Sequence, residues 1–165
     1  MSIIASRTIW YASGMGTSDP PAADGTAAPL VDDLSFLLAR ANALSLAAGN
    51  AALAPHGLKA RSYSVLSLAV EGARPTQRDI AGFLRLDPSQ VVALVDDLQR
   101  RGLLERVPDP TDRRANVVRA TDAGRALHSL AVDAARAAEE TLHAALAPAE
   151  RSQLATLLRR IAFVD

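Results

Sequence analysis

The 165-residue sequence has no cysteine. That absence excludes a disulfide framework, a thiolate zinc site, a cysteine nucleophile and a thiol redox switch. Aromatic residues make up only 4% of the chain, too few to build a stacking platform for single-stranded nucleic acid. Neither charge is in excess: eighteen Lys plus Arg balance eighteen Asp plus Glu, and the formal net charge is zero. A nucleic-acid or membrane partner is therefore not announced by a global basic field, and any such role rests on local clustering. A long apolar run is missing as well. The least charged stretch, 41–58, is broken by Asn42, Gly49, Asn50, Pro55, His56 and Gly57, and falls short of the roughly 20 apolar residues of a membrane span. Residues 1–16 carry one arginine, at position 7, inside rather than ahead of the apolar residues, unlike a secretory signal. A cytoplasmic protein without a membrane partner is expected.

The motifs of common enzymes are also lacking. There is no Gly-x-Ser-x-Gly elbow and no glycine-rich phosphate loop, so an enzyme is not expected. His128 and His143 are fifteen residues apart on one expected helix, too far to share an ion, and His56 sits in a loop; no metal site and no cofactor are expected. Glu139 and Glu140 are adjacent on that helix and point in different directions, which suits a solvated face better than an acid–base pair.

What the sequence does hold is aliphatic: 49% of residues are hydrophobic and 22% charged, a balance that favours a compact helical domain over disorder. Residues 12–29 are mostly Ala, Ser, Gly, Thr, Asp and Pro without an apolar stripe, so 1–29 reads as a flexible leader, with Met15 an alternative start. From Leu30 the pattern changes. Leu30, Leu34, Leu37, Leu38, Ala41 and Leu44 recur at helical spacing, predicting a helix with one buried face that Pro55-His56-Gly57 stops. Tyr63, Leu66, Ala69 and Val70 predict a short second helix.

The next segment is the most informative. Thr76 precedes Ile80, Ala81, Phe83 and Leu84, a short helix whose first amides a hydroxyl can cap. Asp87, Pro88 and Gln90 then read as N-cap, first helical position and the far end of a capping box. Val91, Leu94, Val95 and Leu98 form the buried face of this second helix, and Gly102 ends it. Two short helices across a tight turn form a helix-turn-helix. Residues 103–107 and 116–120 are expected to pair as strands around an eight-residue loop, which makes a wing. Beyond Thr121 a long helix should bury Leu127, Leu130 and Ala131, and a last helix from near Pro148 should bury Leu154, Leu157, Leu158 and Ile161.

Charge is partitioned within the neutral total. Between Arg74 and Arg119 nine arginines face seven acids, and Arg113 and Arg114 fall together at the loop tip, where guanidinium suits phosphate or a narrow minor groove. Asp112 beside them is placed to hold one arginine in a fixed pose.

From about Leu30 to Phe163 the chain resembles the multiple-antibiotic-resistance regulator (MarR) family of bacterial winged-helix repressors. The resemblance is carried by residues 58–66, by Thr76-Gln77-Arg78-Asp79-Ile80-Ala81, and by residues 95–106. Its most specific part is Asp109-Pro110-Thr111-Asp112-Arg113-Arg114-Ala115, followed by Thr121-Asp122-Ala123-Gly124. The resemblance implies a mainly α fold: a winged helix-turn-helix over 58–120, one small β-hairpin wing, and long N- and C-terminal dimerisation helices over 30–57 and 121–165. It implies a homodimeric regulator, a repressor in most such proteins, on a palindromic operator, with half-sites roughly 34 Å apart and release by a small aromatic or anionic effector. The leucine stripes at both ends of the chain point to an interface independently.

Carried over by position, Arg114 enters the minor groove, Asp112 orients it and Arg113 lies on the backbone. Ser89 and Gln90 open the recognition helix, where Gln pairs with adenine and Ser with base edges or phosphate. Thr76, Gln77 and Arg100 complete the expected DNA surface, with Thr76 and Gln77 placed to donate to phosphate. Val92, Ala93 and Asp97 stand where relatives often carry a hydroxyl, an arginine and a basic residue, so readout leans on DNA shape. The same three residues favour the alternative of a winged protein-interaction or ligand-sensing module. Effector candidates are Arg40, His56, Arg61 and Tyr63. The missing cysteines exclude a sensor that works by thiol oxidation.

Overall fold

A computed structural model describes residues 28–72, 74–109 and 115–164. By its internal contacts the chain divides into two units, residues 1–37 and 38–165. In the first, α1 (Ala28–Val31) is a single turn. The expected continuous stripe is interrupted after it: the Asp33 carboxylate accepts from the Phe36 amide at 3.0 Å and starts a new helix, α2 (Leu34–Leu53), as a short side chain with two acceptor oxygens does at a helix start.

In the second unit, a 3₁₀ turn (Ala54–His56) with Pro55 at its start ends α2, and Gly57 closes it at φ +65°. Then follow α3 (Ala60–Val70), α4 (Gln77–Leu84), α5 (Pro88–Arg100), β1 (Leu104–Pro108), β2 (Asn116–Ala120), α6 (Asp122–Leu142) and α7 (Pro148–Ala162). The strands are antiparallel, from Leu104 opposite Ala120 to Pro108 opposite Asn116. The Val118 amide also donates to the Pro75 carbonyl at 2.8 Å, and Thr76 bridges to Val117. The wing is thereby pinned to the chain just ahead of α4. Mainly α, with one hairpin after a helix-turn-helix, is the architecture the sequence predicts.

One core holds this winged part together. Val65 and Leu66 of α3, Ile80 of α4, Val91, Val95 and Leu98 of α5, Leu104 of β1 and Val118 of β2 are buried in it. Gly124 shows how tightly α6 is seated there: a β-carbon at this position would overlap the Leu103 carbonyl oxygen and crowd a Leu66 methyl. Thr121 locks the same corner, its hydroxyl donating to the Gly102 carbonyl at 2.7 Å and accepting from the Gly124 amide at 3.0 Å.

The helices flanking the winged part leave open the leucine stripes that the sequence reads as an interface. Leu38 and Leu44 of α2 and Leu154, Leu157 and Leu158 of α7 are exposed in the single chain, and Ile161 is 61% exposed. Of the predicted α6 stripe Ala131 is buried, whereas Leu130 is 66% exposed. Periodicity reports that a face is apolar and does not say whether this chain or another covers it. By length and composition alone, 34–56 is also a stretch apolar enough to cross a membrane, with a mean hydropathy of 1.2 in its 18-residue window. The polar residues cited against the overlapping stretch do not bring that average below the range of a membrane span.

Candidate nucleic-acid interface

The outer face of the helix-turn-helix is built from two helix starts. Thr76 caps α4 in a closed box: its hydroxyl accepts from the Asp79 amide at 3.2 Å and donates to Asp79 Oδ2 at 2.7 Å, while the Thr76 amide donates to the same oxygen at 2.9 Å. The Thr76 hydroxyl proton is therefore directed at Asp79 and not outward to phosphate as expected. These bonds, the one from the Thr76 hydroxyl first, hold the Asp79 carboxyl below the usual carboxylate range.

At α5 the N-cap is Asp87, as the sequence predicts, but its partner differs. Asp87 Oδ1 accepts from the Ser89 amide at 2.7 Å and from the Ser89 hydroxyl, so the cap is made two residues on and no box closes through Gln90. The Ser89 hydroxyl bond, and then its amide, hold the Asp87 carboxyl low. Gln90 is left exposed on the first turn, to one side of the buried stripe of Val91, Val95 and Leu98. Between the helices, Arg85 takes the left-handed conformation at φ +51°, a strained choice for a side chain with a β-carbon.

Arg100 ends α5 with its side chain 74% exposed, 2.9 Å from Asp97 Oδ1; Arg101 reaches the same carboxylate at 3.6 Å. Asp97 thus offsets two arginines of the recognition helix. On the wing, Arg119 pairs with Glu105 at 2.8 Å, directly across the ladder. The loop-tip residues Asp112, Arg113 and Arg114 lie outside the described residues.

Arg106 was not singled out from the sequence. From β1 its Nη2 donates to Asp96 Oδ1 at 2.5 Å and to Gln77 Oε1 at 3.0 Å, and its Nη1 to Gln99 Oε1 at 2.5 Å. One guanidinium thereby joins the wing strand to both helices. Its partners stand 7, 10 and 29 residues away, and no local pattern announces such a set.

The four effector candidates separate. Arg61 lines a cleft of about 500 Å³ with Lys59 and Ser62 on one side and Gln90 and Asp97 of α5, with Arg101 just past its end, on the other. A smaller cleft of about 280 Å³ shares Lys59, Arg61 and Ser62 and reaches Leu46 and Asn50 of α2. Tyr63 faces elsewhere, stacked on His128 of α6 with ring centroids 5.3 Å apart, and His128 Nε2 lies 3.0 Å from the Ser67 hydroxyl. His56 ends the 3₁₀ turn and Arg40 is exposed on α2; neither lines these clefts.

Known proteins share this fold. Residues 56–115 match the family model described as MarR family. CouR from Rhodococcus jostii RHA1, solved bound to p-coumaroyl-CoA, is 44% identical with a TM-score of 0.75, over 82% of this chain and 98% of that one. A transcriptional repressor, CouR, solved bound to a 23-mer DNA duplex, is 30% identical with a TM-score of 0.77, over 86% and 100%. The uncharacterized HTH-type transcriptional regulator YkoM of Bacillus subtilis (strain 168) is 30% identical over 64% of this chain and 68% of its own length. The chain spans 60% to 68% of the length of the curated relatives it matches. On the family model, the sequence identity and the shared fold together, this chain belongs to the MarR family, whose members are transcriptional regulators and not enzymes.

Proposed function

We propose that the chain is a cytoplasmic repressor that binds a palindromic operator as a homodimer and is released by a small anionic effector. The observation that carries the reading is the first turn of α5: it leaves Ser89 and Gln90 exposed while Val91, Val95 and Leu98 further along are fully buried, as in a recognition helix that enters a major groove. Gln77 and Gln90 make the direct contacts. Thr76 and Ser89 serve by fixing the two helix starts that carry Gln77 and Gln90. Arg100 lies along the backbone, Arg114 reaches the minor groove with Arg113 beside it, and Asp112 holds Arg114 in place.

The division of labour follows the sequence: a leader over 1–29, a DNA-binding part over 58–120, and dimerisation helices over 30–57 and 121–165. A second copy covers the exposed leucines of α2, α6 and α7, which accounts for the apolar stretch 34–56 without a membrane. The effector occupies the cleft lined by Lys59, Arg61 and Arg101, whose cationic groups suit a phosphate- or carboxylate-bearing ligand. That a similar protein was solved with p-coumaroyl-CoA makes aromatic acyl-CoA thioesters the first class to try. Because Gln90 and Asp97 belong to α5 and Arg101 follows it directly, a ligand there bears directly on the reading helix.

A gel shift with the DNA upstream of its own coding sequence tests the reading, with and without p-coumaroyl-CoA, coenzyme A and p-coumarate. A retarded band that the thioester abolishes is the expected result. The absence of any band favours the protein-interaction alternative suggested by Val92, Ala93 and Asp97.

A further inference from the structure

We propose that Arg106 is the positioning residue of the DNA-reading surface, and that by occupying the carboxamide oxygen of Gln77 it presents that side chain to DNA as a hydrogen-bond donor only. The proposal rests on the DNA-binding reading above.

Arginine has five N–H donors in a planar fork and no acceptor. Whatever faces it must offer oxygen, so the amide orientation of Gln77 and Gln99 is set by chemistry. With Oε1 of Gln77 held by Nη2 at 3.0 Å, the NH₂ group is the part of the amide left for a partner. Phosphate oxygens only accept, so this orientation matches DNA and the flipped one opposes it. Gln77 is also the first residue of α4, where the free helix amides already favour an anion.

The positioning follows from the same fork. Both Nη2 hydrogens are engaged, one by Asp96 of α5 and one by Gln77 of α4, while Nη1 reaches Gln99 of α5. The stem springs from β1, opposite Val118. A rigid planar group meets three acceptors on two helices only when those helices and the wing strand keep one mutual arrangement. The side chain is 24% exposed, so water screens these bonds less than it screens the outer ion pairs of Arg100 and Arg119. Asp96 balances the charge, which leaves Arg106 no net attraction to spend on phosphate.

This separates Arg106 from an arginine that touches the backbone. Fluorescence anisotropy on the upstream duplex and on a shuffled duplex, across a salt series, reads the difference. For Arg106→Gln, affinity for the upstream duplex should fall about tenfold, the scale of one charge-assisted hydrogen bond. The shuffled duplex should lose less and the salt slope should hold, and Arg106→Lys should not restore binding. A slope lower by about one in Arg106→Gln, with rescue by Arg106→Lys, marks a phosphate contact and overturns the proposal.

Gln77→Glu keeps oxygens for Arg106 but removes the NH₂ group; it should melt like the parent protein and bind DNA more weakly, and unchanged binding overturns the donor assignment. The clamp is tested without DNA by melting Arg106→Gln, Asp96→Asn and the double variant. Less-than-additive shifts are expected, and full additivity overturns it. If the unmodified protein binds no duplex, the DNA-binding reading and the positioning role fall together; binding with a flattened slope in the variant removes the positioning role alone.

Discussion

The winged part of the chain and the helices that flank it follow opposite rules. Within 58–120 most large apolar side chains are covered by the chain itself: Val65, Leu66, Ile80, Val91, Val95 and Leu98 are sealed from solvent, with Phe83 and Val92 the exposed exceptions, and the starts of α4 and α5 are capped by side chains. In α7 no residue is buried, and in α2 only Leu53 is. The cap of α7 is likewise half made. Ala147 has no side-chain oxygen to cap its helix, and of the box only the reverse bond forms, from the Ala147 amide to Glu150 at 2.7 Å. A region that finishes its own core can hold a reading surface in a fixed shape, whereas a region that leaves its leucines in water is completed by something else. The division assigns recognition to the first and assembly to the second.

Each side of that comparison can be broken separately. The largest effect is expected in the winged core: Leu98→Ala should cost about 2–5 kcal/mol by the cavity it leaves, seen in denaturant melts at any protein concentration. Gly124→Ala follows, at roughly 1–3 kcal/mol or more, because the added carbon meets a backbone oxygen that has little room to move. The flanking helices should respond differently. Leu154→Glu with Leu158→Glu should halve the mass in sedimentation and remove any concentration dependence of melting, while the far-ultraviolet spectrum of the winged helices persists. A fully unfolded double variant contradicts the division.

Smaller effects sharpen the comparison at the helix starts. Thr76→Ala should cost about 1 kcal/mol, the usual loss on removing a hydroxyl cap. The caps also set a pH dependence. Asp79 and Asp87 have folded carboxyls held below their ordinary value of 3.8. Their contribution is therefore complete above that value and is lost as the pH falls through the lower folded ones. Melting midpoints measured from pH 5 downward should decline, and Asp87→Asn, which keeps a capping oxygen without a titrating one, should decline less steeply. Equal slopes would contradict the cap assignment.

The sequence made the winged part legible because its signals are local. Thr76, Asp87 and Gly102 punctuate helices within a few residues of where they act, and the strand pairing follows from two short runs around a loop. Whatever depends on partners distant in sequence was not legible. The Arg106 clamp draws on positions 77, 96 and 99, and β-strand periodicity gives no hint of it. Ser89 is the main partner of the Asp87 carboxylate because its amide and hydroxyl both reach the same oxygen, a competition that residue preferences do not resolve. The stripes of α2 and α7 are legible as apolar and as an interface, while the residues that stay open within the single chain, Leu130 of α6 among them, are visible only in the fold. Among the effector candidates, Arg61 and Tyr63 are two residues apart on α3, so they project from different sides; one meets the cleft and the other meets His128.

The central claim is that a dimer reads a two-fold DNA site with one α5 per half-site. Anisotropy titration of the upstream duplex at a concentration well above its dissociation constant, paired with a shuffled duplex of the same length, tests it most directly. The account predicts saturation at two chains per duplex and a preference of about 10³-fold or more over the shuffled sequence. Saturation at one chain per duplex, or equal affinity for both sequences, would contradict it.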